Sequence, residues 1–257
     1  MTLIDSHAHL DMLDGLEAAL ARAAGAGVAQ IVTIGVDMPS SRAAAGLAAR
    51  LPNVYATVGL HPHDAQQAGE KYFAQMKALA QTSKAVAIGE CGLDFYRDLS
   101  PRPAQRQAFA RQIELALELG LPLVIHDREA HQEVAGMLKA HGAERVGGVL
   151  HCFSGGLDLA RQVLDLGFGL GITGTITYKN AGALRELVAL VPRERLHLET
   201  DCPFLSPLPH RGKPNEPAYL ALANAALAQA LGITPQECAA LTTANTRRLY
   251  RLPGLEG

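Results

Sequence analysis

Two histidines near the start of the chain, His7 and His9, have the spacing of a metal-binding pair. They lie in residues 4–11 (IDSHAHLD), a stretch that is typical of a short first strand. Side chains two residues apart on a strand point to the same face, so both imidazoles can bind one divalent cation. The pair favours a metal-dependent hydrolase; the alternative is two half-exposed histidines at a strand end.

Other side chains that can bind metals follow other predicted strands. They stand after the third, fourth, fifth, sixth and eighth strands: His61 and His63, Glu90, His126, His151 and Asp201. Each has an ordinary alternative, because a glutamate after a strand is usually solvated and a histidine can be a hydrogen-bonded core residue. Asp201 could cap a helix, but Pro203 just after it makes an immediate helix unfavourable. Their recurrence at strand ends nevertheless predicts one site, since α/β barrels place their active sites there.

Two carboxylates, Glu90 and Asp201, are the predicted catalytic groups. Glu90 stands between Gly89 and Gly92, which allow close backbone approach, and its two oxygens could bridge two cations. Asp201 can bind a cation and also accept a proton from the attacking water, whose pKa a nearby cation lowers. Glu199 lies on the same face of the eighth strand, and we expect it to accept a hydrogen bond from a ligating imidazole.

Eight short apolar runs alternate with longer amphipathic stretches, and a further helical stretch over 235–250 closes the chain. Strict alternation implies a parallel sheet, and about 30 residues per unit fit a closed barrel. The sequence therefore predicts an α/β fold: a single (β/α)8 TIM barrel with an additional C-terminal helix, one domain over residues 1–257. A doubly wound open sheet is the alternative, but it usually has a glycine-rich turn after its first strand.

We expect the seventh strand to span residues 168–176. We also expect Ser40 or Ser41 to be the N-terminal cap of the second helix.

Composition excludes several classes of protein. Of the 257 residues, 48% are hydrophobic, which is enough for a sizeable core and excludes wholesale disorder. The net charge of −2 gives no overall attraction to nucleic acid, so any contact with phosphate must come from local charges. No apolar run approaches membrane-spanning length, and the first residues lack the pattern of a signal peptide. We expect a cytoplasmic monomer that does not contact membranes.

The assembled motifs resemble those of the TatD family of metal-dependent deoxyribonucleases, within the wider group of amidohydrolase-like barrels. The resemblance spans the chain and rests on DSHAH (5–9), GLHPH (59–63), GECGLD (89–94), IH (125–126), HCFSG (151–155), ETDCP (199–203) and RGKPNEP (211–217). His197 is a small departure, because the family usually carries an apolar residue there. That departure affects none of the predicted site residues.

The resemblance implies a two-metal nuclease. One ion would take His7, His9, Glu90 and Asp201, and the other would take Glu90, His126 and His151, with Glu90 as the bridge. Nitrogen and carboxylate ligands suit zinc, manganese or, less well, magnesium. Two such ions can activate water and neutralise the attacking and leaving oxygens of a phosphodiester. The implied substrate is DNA, single-stranded or at its 3′ ends, cleaved in the manner of a 3′–5′ exonuclease.

Substrate contacts are predicted at two places. The loop after the eighth strand carries Arg211, Lys213 and Asn215, and guanidinium and ammonium groups bind phosphate well; the alternative is a solvated basic loop. His61 and His63 are surplus to the two-metal set. We expect at least one of them to contact the scissile phosphate or a third, weaker ion; the alternative is a stiffened pair of loop histidines.

Two other functions stay open on the sequence alone. A dinuclear barrel can hydrolyse a cyclic amide or the ester of an aminoacyl-tRNA, and a protein can bind metal without catalysis. Cleavage of a phosphodiester that a chelator abolishes would separate a nuclease from another hydrolase. An intact ligand set with a candidate base argues against a protein that only binds metal.

Overall fold

The computed structural model describes residues 1–82 and 84–254. Buried strands alternate with helices along the chain. The strands are β1 (Leu3–Ala8), β2 (Val28–Thr33), β3 (Val54–Val58), β4 (Ala85–Asp94), β5 (Leu123–Arg128), β6 (Gly148–Leu150), β7 (Phe168–Ile172) and β8 (Leu196–Leu198). The helices are α1 (Leu16–Gly25), α2 (Met38–Arg50), α3 (Glu70–Ala80), α4 (Arg102–Leu119), α5 (His131–Ala140), α6 (Leu157–Asp165), α7 (Gly182–Leu190), α8 (Leu220–Leu231) and α9 (Pro235–Tyr250).

The chain divides into two compact units: Met1–Thr33 with the chain from Leu170 onward, and Ile34–Gly169. In the first unit, β1 pairs in parallel with β2, and β7 pairs in parallel with β8. Past the end of β8, the backbone N–H of Asp201 donates to the carbonyl of His7 at 2.9 Å. The residues that follow β8 therefore lie beside the end of β1.

In the second unit, β3, β4, β5 and β6 pair in parallel in that order. The register between β4 and β5 sets Gly92 opposite His126 and Asp94 opposite Arg128. Because parallel strands run in one direction, the carboxyl ends of β4 and β5 meet at the same edge. The polar residues that the sequence places at these strand ends are thereby brought together.

Two local expectations about the elements are wrong. Helix α2 is capped one turn earlier than expected, because the Asp37 side chain accepts a hydrogen bond from the Ser40 backbone at 2.8 Å and the Ser40 hydroxyl accepts one from Asp37. Strand β7 ends at Ile172 rather than at residue 176. The Thr173 side chain caps a short 3-10 turn over Gly174–Thr177, which diverts the backbone from the strand.

None of the helices within residues 1–82 and 84–254 combines the length and the apolar character needed to cross a lipid bilayer.

Candidate metal centre

The first unit brings His7, His9 and Asp201 together, and we call these three residues cluster 1. Oδ1 of Asp201 lies 3.4 Å from Nε2 of His7 and 3.3 Å from Nε2 of His9. All three side chains are buried, and their candidate ligand atoms lie within 4.8 Å of one another. Two imidazole nitrogens and a carboxylate oxygen at this spacing fit a divalent cation.

Asp201 reaches cluster 1 through an unusual backbone turn. Its φ is +57°, in the left-handed region that residues other than glycine rarely adopt and that aspartate tolerates better than most. Its N–H donates to the carbonyl of His7, and its own carbonyl accepts the N–H of Phe204 at 2.9 Å. Such backbone conformations, which cost about 1–3 kcal/mol, concentrate at functional sites.

Asp5, to which the sequence gave no role, holds the residue before Asp201. Its Oδ1 accepts the backbone N–H of Thr200 at 2.9 Å, and its Oδ2 accepts the Thr200 hydroxyl at 2.6 Å. Burial raises the pKa of Asp5 to about 7, although the hydrogen bonds from Thr200 act to lower it. Strand alternation could have found Asp5, because it shares a face with His7 and His9.

Glu199 is fully buried beside β7. Its Oε2 accepts a hydrogen bond from the Ser6 hydroxyl at 3.4 Å. Gly171 makes room for the carboxylate, because a Cβ at this position would lie 2.5 Å from Oε2. The expected hydrogen bond from a ligating imidazole to Glu199 stays a prediction.

The second unit brings Glu90 together with His61, His126 and His151, and we call these four residues cluster 2. Oε1 of Glu90 lies 2.9 Å from Nδ1 of His126 and 2.9 Å from Nε2 of His151. Nε2 of His61 lies 3.5 Å from the same oxygen. Only 3% of Glu90 is exposed, so imidazoles rather than water surround its carboxylate. Candidate ligand atoms of His61, Glu90 and His126 lie within 4.8 Å of one another, a spacing that fits a divalent cation.

The pKa shifts in cluster 2 favour the metal-binding forms of Glu90 and His61 and oppose that of His126. Burial opposes ionisation of Glu90, but the contacts with His151, His126 and His61 hold its pKa well below its usual value. Burial lowers the pKa of His61 to about 4, despite the neighbouring Glu90, so this imidazole is neutral near pH 7. Burial also disfavours charge on His126, yet its hydrogen bonds with Asp94 and Glu90 raise the pKa. Because these hydrogen bonds favour the protonated imidazole, a cation competes with a proton for His126.

Asp94 is a second functional candidate that the sequence quoted in a motif but left without a role. Its Oδ2 lies 3.2 Å from Nε2 of His126 and 2.8 Å from Nε2 of His63. When Asp94 accepts the Nε2–H of His126, the Nδ1 lone pair of that ring faces Glu90, which is the tautomer that can bind a cation. Alternation could have identified Asp94, because it lies four residues after Glu90 on one strand.

Gly92 allows the close approach that the sequence predicted at this strand end. Its φ is +140°, and a Cβ there would lie 2.0 Å from the carbonyl oxygen of His126. Any larger residue would force β4 away from β5 and would displace His126 from cluster 2.

His61 and His63 both lie with cluster 2. The backbone N–H of His63 donates to Nδ1 of His61 at 3.2 Å, so the neutral His61 ring carries its hydrogen on Nε2, toward Glu90. The His61 and His126 ring centroids are 4.4 Å apart. Contact of either histidine with phosphate or a third ion stays a prediction.

The loop after β8 presents its three predicted substrate contacts differently. Arg211 and Lys213 are exposed, and the Arg211 guanidinium lies 4.5 Å from the centre of the Tyr178 ring. Asn215 is buried, and its amide donates to the carbonyls of Thr200 at 2.9 Å and Phe204 at 2.7 Å. Asn215 therefore holds the loop, while its contact with substrate stays a prediction.

Comparison with known proteins places the chain in a family. The sequence profile of the TatD related DNase family matches residues 4–251. The chain belongs to this family. The chain is 42% identical to the uncharacterized metal-dependent hydrolase YabD of Bacillus subtilis (strain 168), over 97% of this chain and 99% of that protein. It is 40% identical to the 3′-5′ ssDNA/RNA exonuclease TatD of Klebsiella pneumoniae (strain 342), over 90% of each.

A TatD-family structure confirms the fold class. The crystal structure of YJJV, a TatD homolog from Escherichia coli K12, matches with a TM-score of 0.91 at 33% identity, over 98% of each chain. The strand order is β1 to β8, helices alternate with the strands, and α9 is the additional C-terminal helix. The predicted (β/α)8 TIM-barrel class is therefore correct, and the chain is a TatD-family metal-dependent hydrolase.

Proposed function

We propose that the protein is a metal-dependent 3′–5′ exonuclease that hydrolyses the phosphodiester bonds of single-stranded DNA. The observation that carries the proposal is the presence of cluster 1 and cluster 2, two groups of imidazole and carboxylate donors that are buried except for the half-buried His126. A relative named as a 3′-5′ ssDNA/RNA exonuclease, 40% identical over 90% of this chain, supports the choice of substrate.

Each cluster would hold one divalent cation. His7, His9 and Asp201 would hold one ion, and Glu90, His126 and His151 the other; zinc, manganese and magnesium are the candidates. When bound, such ions lower the pKa of the attacking water and neutralise charge on the phosphodiester. Glu90 as a ligand shared by both ions stays a prediction from the family resemblance.

The side chains around the ions would accept the proton from the attacking water and contact the substrate. Asp201 has Oδ1 beside two imidazoles, and we assign its second carboxylate oxygen as the acceptor of the proton from the attacking water. His61, neutral at pH 7 and protonated on Nε2, would donate a hydrogen bond to a phosphate oxygen. The exposed Arg211 and Lys213 would contact the phosphates of neighbouring nucleotides, with His63 and Asn215 as further predicted contacts.

A labelled oligonucleotide tests this function. The protein is freed of metal with a chelator, reconstituted separately with zinc, manganese or magnesium, and incubated with single-stranded DNA labelled at its 5′ end. We expect a ladder that shortens from the 3′ end in at least one metal and not in the chelated sample. Parallel RNA and 3′-labelled substrates report preference and polarity. An intact oligonucleotide with every metal would contradict the proposal, and hydrolysis of a cyclic amide or aminoacyl ester instead would favour the alternative.

A further inference from the structure

The loop over residues 95–99, between β4 and α4, exposes two large apolar side chains. Tyr96 is 62% exposed and Leu99 is 61% exposed. Among the described residues of the second unit, no other large apolar side chain is so open to solvent. Two exposed apolar side chains within one short loop make the loop a candidate binding surface.

The loop is fixed rather than loose. Gln105 is fully buried, and its amide oxygen accepts the N–H of Asp94 at 2.9 Å. The amide nitrogen donates to the carbonyl of Asp94 at 3.1 Å and to that of Ser100 at 2.8 Å. Oδ1 of Asp94 in turn accepts the backbone N–H groups of Tyr96 at 3.0 Å and Arg97 at 2.7 Å. Both ends of the loop are thus held, so Tyr96 is presented in a defined position.

The Tyr96 ring already stacks with a cation on one side. The guanidinium carbon of Arg128 lies 4.3 Å from the ring centre. The register of β4 and β5 accounts for this contact, because Arg128 stands opposite Asp94. A planar group can stack on the part of the ring that Arg128 leaves exposed, as nucleobases do on the aromatic side chains of proteins that bind single strands.

The arginines around the loop differ in whether they form an ion pair with a carboxylate. Arg102 forms an ion pair with Asp98 at 3.1 Å, and Arg106 forms one with Glu133. Arg97 and Arg128 are exposed, and no ion pair joins either of them to an acidic side chain among residues 1–82 and 84–254. Two uncompensated charges therefore flank Tyr96, where they can contact the phosphates on either side of a stacked base.

The loop is also joined to cluster 2. Asp94 accepts the two loop N–H groups through Oδ1, and its Oδ2 contacts His126 and His63. The Asp94 carboxylate therefore connects the backbone of the loop directly with imidazoles at cluster 2.

We propose that Tyr96 is a stacking platform for a nucleobase of a single-stranded substrate, with Arg97 and Arg128 contacting the flanking phosphates. The proposal rests on the proposed function and specifies how that substrate is held. Every base offers a π-face, so a platform of this kind binds without sequence preference. A duplex end would have to unpair before its base could reach the ring.

The test combines a protein change with a substrate change. Binding of a fluorescent single-stranded oligonucleotide to the manganese-loaded protein is measured by anisotropy, and its cleavage is followed on gels. Single abasic nucleotides replace each of the last positions in turn. In the wild type, one abasic position should weaken binding about 5- to 150-fold, the usual effect of losing one stacked base. In Tyr96→Ala the intact oligonucleotide should bind as weakly, and that abasic position should cost nothing further.

Three variants complete the design. Tyr96→Phe should bind like the wild type because it keeps the ring. Leu190→Ala, which removes a 69% exposed apolar side chain from the end of α7, should also leave binding unchanged. Arg97→Gln combined with Arg128→Gln should flatten the logarithmic salt dependence of binding by about 0.7 for each lost phosphate contact.

The outcomes separate the two proposals. An abasic penalty that is equal in wild type and Tyr96→Ala overturns the platform even when the enzyme cleaves DNA normally. A penalty abolished by Tyr96→Ala, in a protein that binds but does not cleave, supports the platform and contradicts the nuclease. A protein that neither binds nor cleaves the oligonucleotide overturns both.

Discussion

Four buried carboxylates take different parts in the two clusters. Asp201 and Glu90 contact imidazole nitrogens that can themselves bind a cation. Asp5 instead holds the residue beside Asp201, and Asp94 holds the imidazole of His126. The first pair should therefore affect chemistry and the number of bound ions, whereas the second pair should affect geometry.

Asp201→Asn separates metal binding from proton transfer. The amide keeps one oxygen that can bind a cation but accepts a proton poorly. We expect the variant to retain metal while kcat falls by about two to four powers of ten, the usual range for general base catalysis. Metal analysis and steady-state kinetics measure the two effects, with Glu199→Gln expected to lose less. A near-native kcat in metal-replete Asp201→Asn would show that another group accepts the proton from the attacking water. Glu199 would be the next candidate.

Asp5→Asn tests a residue that acts through Thr200. An amide has only one acceptor oxygen, so it cannot accept both the N–H and the hydroxyl of Thr200, and the hydroxyl must give up or reverse its hydrogen bond. We expect metal affinity at cluster 1 or kcat to fall about 10- to 100-fold, as for other residues that orient metal ligands. Competition with a chelating dye measures the affinity. Asp14→Asn, at an exposed position, is the control; equal affinity and activity in both variants would remove Asp5 from the site.

Most of what could be predicted from the sequence concerns the strands and the residues near their ends. Alternation predicted that His7 and His9 face one way, and both imidazoles lie beside Asp201, although His9 comes just after β1. Glu90 and His126 are in contact as expected, but they lie within β4 and β5 rather than at the last residues of these strands. Two kinds of feature could not be predicted from the sequence. Local competition by side chains ended β7 early at Thr173 and moved the cap of α2 to Asp37. Hydrogen bonds between distant segments, such as those of Asp5 with Thr200, depend on packing that periodicity does not encode.

Gly92→Ala tests the approach of β4 to β5. The new Cβ would lie 2.0 Å from the carbonyl of His126, at a φ that alanine avoids. We expect the free energy of unfolding to fall by about 1–3 kcal/mol, with weaker metal binding at cluster 2. Urea unfolding measures the loss. Gly136→Ala in α5 is the matched control, because its Cβ meets nothing within 4 Å and alanine favours helix. Equal stability of the two variants would show that β4 and β5 tolerate a side chain at residue 92.

The stability of the whole molecule should depend on pH through a histidine outside both clusters. His197 is buried, with Nδ1 3.2 Å from the Thr246 hydroxyl. Burial, with Arg195 and Arg248 nearby, lowers the pKa of His197 to about 3. The unfolded chain binds a proton at this residue near pH 6.5, whereas the folded chain does not. Acid therefore favours unfolding between these two pH values.

His197→Gln should remove this contribution. As the pH falls below about 6, the free energy of unfolding of the wild type should drop relative to the variant by about 1.4 kcal/mol per pH unit. Urea unfolding at several pH values between 7 and 4.5 measures the difference. The matched control is His141→Gln, a half-exposed histidine just beyond α5. Parallel pH profiles for wild type and His197→Gln would show that His197 is protonated in the folded protein.

The metal content of the purified chain shows whether each cluster binds one cation. Wild-type protein, reconstituted with manganese or zinc and freed of loose ions, should contain two ions per chain by mass spectrometry of the metal. His9→Ala should lose the ion of cluster 1 and His151→Ala that of cluster 2, so each variant should contain one ion while keeping the wild-type circular dichroism spectrum. A single ion in the wild type, or two ions in both folded variants, would contradict the assignment of one cation to each cluster.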